Sequence, residues 1–540
     1  HNCYFKMLKF IKSYIFFETQ STIDKLQPSL NFNKKNELKN YFLYKNIRKF
    51  LGTQLSTPFS IRKNLVNIPL IILCFYSCEK GDIASQETVN SISNCNAADY
   101  GFLPNANPEE NAISLQKALN DNDVVEVNYP GIYEIDTTII LKSNNKLYFK
   151  DGVYIKKVKN KGNSFGYTFI NKGATTKTYD QNITIKGLKL IINGLDGHGE
   201  NYIQGLNGHL SFFYIKNLII ENFECLDIGT SIFAIHICTF DNITLNRGHI
   251  KGKKDAIHLG RGKKFIIQNY TFNTFDDPIA LNAQDYDVSN PQVGWIEDGI
   301  VENCIDLSEN PIGYFCRILA GGFVDWYPGI KLQKSDIIIH NNRMYRVIAE
   351  PDGKIYTSQT PPNHLFGLKQ IDGINWLMIQ DDITYTAGVR NVCFKNLAIE
   401  TKRLAVFSLH FDNDNWSRSY YPGAEIPIQN NLRFENITIK SQETWRFISC
   451  RTPINSLYIR NSYLKCYAID FIKNSEVKDF KHTNITFDNC TFAREGTWDI
   501  IANEIPDKTI TLKTFGSRID ASDFQPQING PGISIDSDLF

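Results

Sequence analysis

Apolar and polar residues alternate over four or five positions in a series of short segments. Examples are NITIKGLKLI (182–191), NLIIENFECL (217–226), NITLNRGHIKG (242–252) and KFIIQNYTFNT (264–274). The same pattern returns in NVCFKNLAIE (391–400), NLRFENITIK (431–440), SLYIRNSYLK (456–465) and NITFDNCTFA (484–493). A period of two predicts strands. Each segment bends at Asn, Gly or another polar residue and then starts a second short apolar strand. Uninterrupted repeats begin about 22 to 28 residues apart, and strands at a fixed period without intervening helices predict a solenoid. Two or three short strands per turn fit an all-β fold, a right-handed parallel β-helix. Its coils stack at about 4.8 Å and bury a column of Ile, Leu, Val and Phe.

The N-terminal end supports this reading. ADYGFLPNANPEENAISLQKALND (98–121) reads as a strand, a loop and one amphipathic helix with Ala112, Leu115, Ala118 and Leu119 on its apolar face. A helix laid over the first coil would cover its open strand edges. The β-helix with the chemically interesting coils is expected over 97–285. The repeat weakens over 286–380, which reads as an insertion containing a small antiparallel β module at 326–363. Its Asn341–Asn342 and Asp352–Gly353 pairs suit hairpin turns. This module resembles chitin-binding-type modules; a flap over a groove is the other reading. The second part of the β-helix is expected over 381–520, followed by a tail at 521–540.

Charge changes the picture at the N-terminal end. Residues 1–78 carry 12 Lys/Arg against 3 Asp/Glu, and the remainder carries 46 against 54. The mildly acidic body has no nucleic-acid footprint. Within the basic part, RKNLVNIPLIILCFYSC (62–78) has two basic residues, a short apolar run and a terminal cysteine. That order resembles a bacterial lipoprotein signal with Cys78 as the lipidated residue. It implies a cell-envelope protein, held in the outer membrane only through a lipid anchor, or secreted. An uncleaved anchor and an ordinary signal are the alternatives. Residues 1–61 are too long for a secretory leader's first region and are set aside as an upstream segment. Nine cysteines follow Cys78 without CxxC spacing or a His cluster. They read as buried free thiols, with no metal site.

The chemistry lies in TFDDPIALN (274–282). Adjacent Asp276 and Asp277 at the mouth of an apolar strand are either an acidic turn or a pair held for acid–base work. KKDAIHLG (253–260) weighs on the choice. Asp255 precedes Asp277 by 22 residues, and Ile257 and Leu259 match Ile279 and Leu281 at the same offset. One coil of a β-helix would then set Asp255 and Asp277 on the order of 5 Å apart at one bend, with Asp276 beside them. Glycoside hydrolysis needs such a group: one carboxylic acid to protonate the leaving oxygen and one carboxylate to activate water or attack carbon. Close like charges keep an acid protonated near neutral pH.

From about Ala97 to Asn282 the chain resembles the polygalacturonase-type glycoside hydrolases (family 28) and related pectin-lyase-like proteins. INGLDGHGEN (192–201) resembles that family's G-x-IDG-x-G stretch, KDAIHLG stands where it has N-T-D-G-I, and FDDPIAL where it has G-D-D-C-I-A. The resemblance implies that Asp255, Asp276 and Asp277 are catalytic, with Asp276 the general acid and Asp255 and Asp277 activating water in an inverting reaction. The family's G-H-G and R-I-K motifs find no match, and Lys254 replaces the Thr of N-T-D. The carboxylates carry over; pectin as substrate does not.

Other residues read as substrate-binding candidates. His258 alternates outward beside the carboxylates, and Arg261, Asn282, Asp285 and Tyr286 lie just beyond the strand ends. SLHFDNDNWSRSYYPG (408–423) offers His410, Asp412, Asp414, Trp416 and Arg418. Asp381–Asp382 has no one-coil partner and reads as a turn. The expected partner is a polysaccharide or glycan. A hydrolase with no cofactor is the first reading. A polysaccharide lyase, for which Ca²⁺ on the three Asp residues is possible, and a silent glycan-binding β-helix are the others.

Overall fold

The structure, a computed structural model, describes residues 94–539 apart from 162–165, 197–201, 349–352, 412–418, 442, 473–481 and 524. The upstream segment 1–61, the signal at 62–78 and Cys78 lie outside those residues.

Period-two alternation places every second side chain inward, and parallel pairing stacks those side chains coil on coil. One inward column runs through Ile139, Phe169, Leu210, Ile235, Ile257 and Ile279. It continues through Cys316, Phe407, Ile448, Ile469, Ile501 and Ile528. A second column passes through Leu147, Ile185, Ile220, Leu245, Ile267, Val301, Phe394, Phe434, Ile459 and Phe487. Parallel ladders of this length make the right-handed β-helix. The buried columns belong to one continuous apolar core.

The helix Pro108–Asp121 closes the N-terminal end with Ala112, Leu115, Ala118 and Leu119 buried. Its start is fixed by Asn107, whose side chain accepts from Glu109 N at 3.0 Å, an N-cap that satisfies one of the first turn's free donors.

Asparagines hold the bends. Asn182, Asn217 and Asn242 all take left-handed φ, between 53° and 64°, a conformation that Asn tolerates better than other residues with a side chain. Asn217 Nδ2 donates to Asn182 Oδ1 at 2.9 Å, and Asn242 Nδ2 donates to Asn217 Oδ1 at 2.8 Å. Asn303, Asn396 and Asn436 repeat the device on later coils.

The coils run on into the stretch that the sequence assigns to an insertion. Ile296–Glu302 and Cys316–Leu319 pair in register with Gly262–Thr274 and Ile279–Asn282. The module is also wider than 326–363, and it is mixed rather than purely antiparallel, since Val324–Asp325 pairs parallel with Ile337–His340. Its five strands are Val324–Asp325, Ile337–His340, Arg343–Val347, Leu368–Ile371 and Ile374–Gln380. Around Ile338, Tyr345, Ile374 and Trp376 it has a separate core. Asn341–Asn342, both with positive φ, form the expected two-residue turn. Asp352 lies outside the described residues. The strands flanking it pair elsewhere, Arg343–Val347 with Ile374–Gln380 and Tyr356–Ser358 with Ile330–Leu332. Nor is 521–540 a free tail, since Gln525–Asn529 and Ile533–Ser537 extend the parallel sheet. All nine cysteines from Cys95 onward are free, and seven are buried.

The bends make a measurable contribution. Asn217→Ala, which strains the left-handed backbone and removes two ladder bonds, is expected to lower stability by about 2 kcal/mol. Asn217→Gly, which keeps the backbone relaxed, should cost about 1 kcal/mol. Urea unfolding midpoints of the three proteins check the difference.

Candidate active site

Ile257 stacks between Ile235 and Ile279, and Leu259 between Ile237 and Leu281. Two residues earlier on each rung, Ala234 N donates to Asp255 O at 3.2 Å and Ala256 N donates to Asp277 O at 3.1 Å. Asp255 and Asp277 therefore occupy successive rungs of one bend. Asp276 joins them: one carboxylate oxygen from each of the three lies within 4.8 Å of the others. Asp255 and Asp277 are 4% and 3% exposed, and Asp276 is half-buried.

Neighbouring charges divide the three acids. Burial raises Asp255, but the Lys254 ammonium, a hydrogen bond from His258 and the Arg317 charge overrule it, so Asp255 is held well below the usual carboxylate range. Lys254 Nζ stands 3.5 Å from Asp255 Oδ1 and is ion-paired with Asp276. Burial and the Asp255 charge nevertheless raise Asp276 against the pull of Lys254. Asp277 is pushed well above its ordinary value by burial and by the charges of Asp276 and Asp255. Its Oδ1 accepts from Tyr314 N at 2.6 Å. Burial disfavours the Lys254 ammonium, but Asp255 and Asp276 hold it charged. One carboxylate is thus ionised while two carboxyls retain protons more readily than free Asp.

His258 is buried beside the cluster. Its Nδ1 lies 3.1 Å from Asp255 Oδ2 and its Nε2 3.8 Å from Asp285 Oδ2. Phe233 stacks on its ring with centroids 4.2 Å apart. Asp285 accepts from Asn282 Nδ2 at 2.6 Å and from Tyr286 N at 2.8 Å. Asn282 thus holds Asp285, whose charge bears on the site chiefly through Arg317. The Tyr286 hydroxyl is raised by burial first and then by the Asp285 charge, while Lys254 opposes both.

Arg317 was missed by sequence reasoning. It shares an outward ladder with His236, His258 and Ala280, and the small Ala280 separates it from His258. Burial opposes the Arg317 charge, but Asp285, Asp277 and Asp255 hold it ionised. It stands in Cys-Arg-Ile-Leu (316–319), where an irregular coil removes the offset that would have exposed it. Gly313 permits the last close approach. A Cβ there would sit 2.6 Å from Asp277 Oδ1 and from the Asp276 carbonyl carbon.

Arg261 is not in this group. It donates from Nη1 to Asp382 at 2.7 Å and from Nε to Thr239 Oγ1 at 3.0 Å. It lines a different pocket with Tyr179, Lys216 and Trp295. Its place just past Leu259 carries it around the bend, away from the carboxylates, where it binds one member of the Asp381–Asp382 pair. His410 ends the strand Ala405–His410, paired with Leu319. Asp412, Asp414, Trp416 and Arg418 lie outside the described residues. A Ca²⁺ at the three Asp residues would share its space with the Lys254 ammonium, which already contacts Asp255 and Asp276. The residues present do not fit the ion.

No family model and no curated protein matches the chain. Among solved structures it is similar to the family 28 exopolygalacturonase of Yersinia enterocolitica, at 12% identity and a TM-score of 0.45, over 82% of this chain and 78% of that one. It is also similar to the polygalacturonase of Erwinia carotovora ssp. carotovora, at 13% identity and a TM-score of 0.41, over 82% and 96%. The surface adhesin PfbA of Streptococcus pneumoniae is a third, at 12% identity and a TM-score of 0.37, over 82% and 100%. These likenesses carry nothing about the reaction.

The crowding of charge has a stability consequence. Asp277→Asn keeps an acceptor for Tyr314 N and removes the cost of burying an acid beside two others, so it should raise the melting temperature at neutral pH by roughly 2 °C or more. A raised folded pKa means that the wild-type penalty is complete above that value. It shrinks as pH falls toward the unfolded value and is gone below it. Calorimetric scans of both proteins across pH should show the gain fading on the acid side.

Proposed function

We propose that the protein is a glycoside hydrolase acting on a polysaccharide or other glycan. The observation that carries this reading is the division of labour within 4.8 Å: Asp255 held ionised beside two carboxyls whose proton affinity is raised. Glycoside hydrolysis needs that combination. Asp276, the most open of the three, gives its proton to the glycosidic oxygen as the bond from that oxygen to the anomeric carbon breaks. Asp255 takes a proton from the water that forms the new bond. Asp277 is buried and its proton affinity is raised by burial and by Asp276 and Asp255, which favours it as a proton holder in the cluster over a second base. Lys254 and Arg317 steady the negative charge that moves among the three. An acidic patch alone would show no such split between adjacent carboxyls.

The short spacing favours a second reading of the stereochemistry. Inverting enzymes set their two carboxyls about 6.5–9.5 Å apart to admit water, whereas about 5 Å suits direct attack by a carboxylate. One oxygen from each acid here lies within 4.8 Å of the others, close enough for Asp255 to attack the anomeric carbon directly, so a retained product stands as the second reading beside the inversion implied by the family resemblance.

Screening the purified protein against a polysaccharide panel should reveal release of reducing ends from at least one substrate. Asp255→Asn and Asp276→Asn should each reduce it about 10²–10⁴-fold. Proton NMR of the first-formed anomer decides between inversion and retention. Unsaturated, ultraviolet-absorbing products would instead establish a lyase. Absence of turnover on every glycan, with binding preserved in both variants, would establish a silent binding protein.

Lys254 governs the pH range. Removing its charge raises both Asp255 and Asp276. The acidic limb of activity, set by ionisation of Asp255, and the alkaline limb, set by loss of the Asp276 proton, should both move to higher pH in Lys254→Met. A shift of about one unit or more is expected from the loss of a contact ion pair, read from kcat/KM profiles.

A further inference from the structure

The wall that carries the carboxylates continues past them toward the C-terminal coils. From Asp277 the same bend position passes through Tyr314 and Ala405 to Arg446 and Tyr467, as the register of Ile279, Cys316, Phe407, Ile448 and Ile469 requires. Beside it, the ladder of His258, Ala280 and Arg317 continues as Ser408, Ser449 and Asp470. The small residues Ala405, Ser408 and Ser449 keep the intervening floor low. Four rungs separate Asp277 from Tyr467, a span of about 19 Å at the spacing of parallel strands and several sugar rings long.

At the far end the floor rises into an aromatic platform. Trp445 is 50% exposed. Its ring stacks on Tyr467 with centroids 5.4 Å apart and planes 28° from parallel. The Arg446 guanidinium lies 5.6 Å from the Trp445 centroid and 5.2 Å from that of Tyr467, and the Arg494 guanidinium lies 4.7 Å from Tyr467. These cations lock the rings in place. Arg446 is ion-paired with Asp470, which is only 4% exposed. Ser449 also hydrogen-bonds the Asp470 carboxylate, while among the described residues the buried Asp470 Oδ1 and Arg446 Nη1 are left over. A buried acceptor and a buried donor side by side, next to an exposed indole face, match what a pyranose presents: hydroxyls at its rim and an apolar face of C–H bonds.

We propose that Trp445, Tyr467 and the Arg446–Asp470 pair form a second saccharide-binding subsite, four rungs from the carboxylates on the same wall. The occupant is a polymer long enough to lie across both. This rests on the glycan reading of the carboxylate site for the identity of the occupant, but not on turnover there. The platform binds one ring by stacking and holds its hydroxyls on the carboxylate and guanidinium, while the chain runs over the low floor toward Asp276.

Affinity electrophoresis tests the proposal with the full-length protein carrying Asp276→Asn, so that cleavage is slow on the time scale of the gel. The gels contain polygalacturonate, arabinoxylan, β-glucan or mannan. At least one polymer should retard this protein. Adding Trp445→Ala should weaken the apparent affinity about tenfold, the scale of one lost aromatic contact. Tyr467→Ala should act in the same direction and Tyr467→Phe should act little, because the ring rather than the hydroxyl stacks. Melting temperatures close to that of the parent protein confirm that the variants fold. Retardation unchanged by both alanine variants overturns the subsite, as does the absence of retardation by all four polymers. Weakened binding in Trp445→Ala, combined with no reducing-end release by the wild-type protein, would uphold the subsite and retire the hydrolase.

Discussion

In-register parallel stacking of coils is the constraint on which everything else rests. A strand of this fold has no freedom to choose its face. Once Ile257 lies between Ile235 and Ile279, the residues two positions earlier must share a bend, and slipping by one would bury the polar face. The core thus does positional work beyond its contribution to stability. It delivers Asp255 and Asp277 to adjacent rungs, and it carries the outward ladder from His236 to Asp470 along one wall. The asparagine ladders serve the same end by fixing where each coil turns, which keeps the rungs from drifting out of line.

Stacking like charges is costly, and the fold offsets the cost locally. Lys254 and Arg317 reach the cluster from different rungs, while His258 and Tyr314 N supply hydrogen bonds. Compensation is unequal because the distances and burial are unequal. Asp255 receives most of the positive charge, and Asp277 receives little against its two acidic neighbours. That asymmetry separates an acid from a base among chemically identical side chains, as paired catalytic carboxyls require. Gly313 allows the neighbouring loop to close over Asp277 and keep it dry.

The parts legible in the sequence depend on local alternation and on a single regular coil. The helical cap, the inward columns and the Asp255–Asp277 register all meet that condition. Legibility ends where the coil length changes. After Asn282 the next rung arrives only at Cys316, so Arg317 could not be aligned with His258. The long detour before Phe407 similarly hid the platform at Trp445 and Tyr467. Arg261 misled because adjacency in sequence placed it near the acids, whereas one bend of the backbone turns it toward Asp382. Lys254 stood out as a departure from the resembling family, but only its contacts with two carboxylates give the departure a physical meaning. The inserted module was underestimated because Asp372–Gly373, the turn that joins its last two strands, lies beyond the expected boundary.

The central claim is that the Asp255 charge acts on Asp277 across one rung and raises its proton affinity. A double-mutant cycle in thermal stability at neutral pH measures this directly. The stabilisation produced by Asp277→Asn should be smaller when Asp255 is already Asn, because one of the two acids raising Asp277 has gone while burial and Asp276 remain. An equal gain in both backgrounds would mean that the two acids do not interact, and would contradict the placement from which the site, its electrostatics and its proposed chemistry are built.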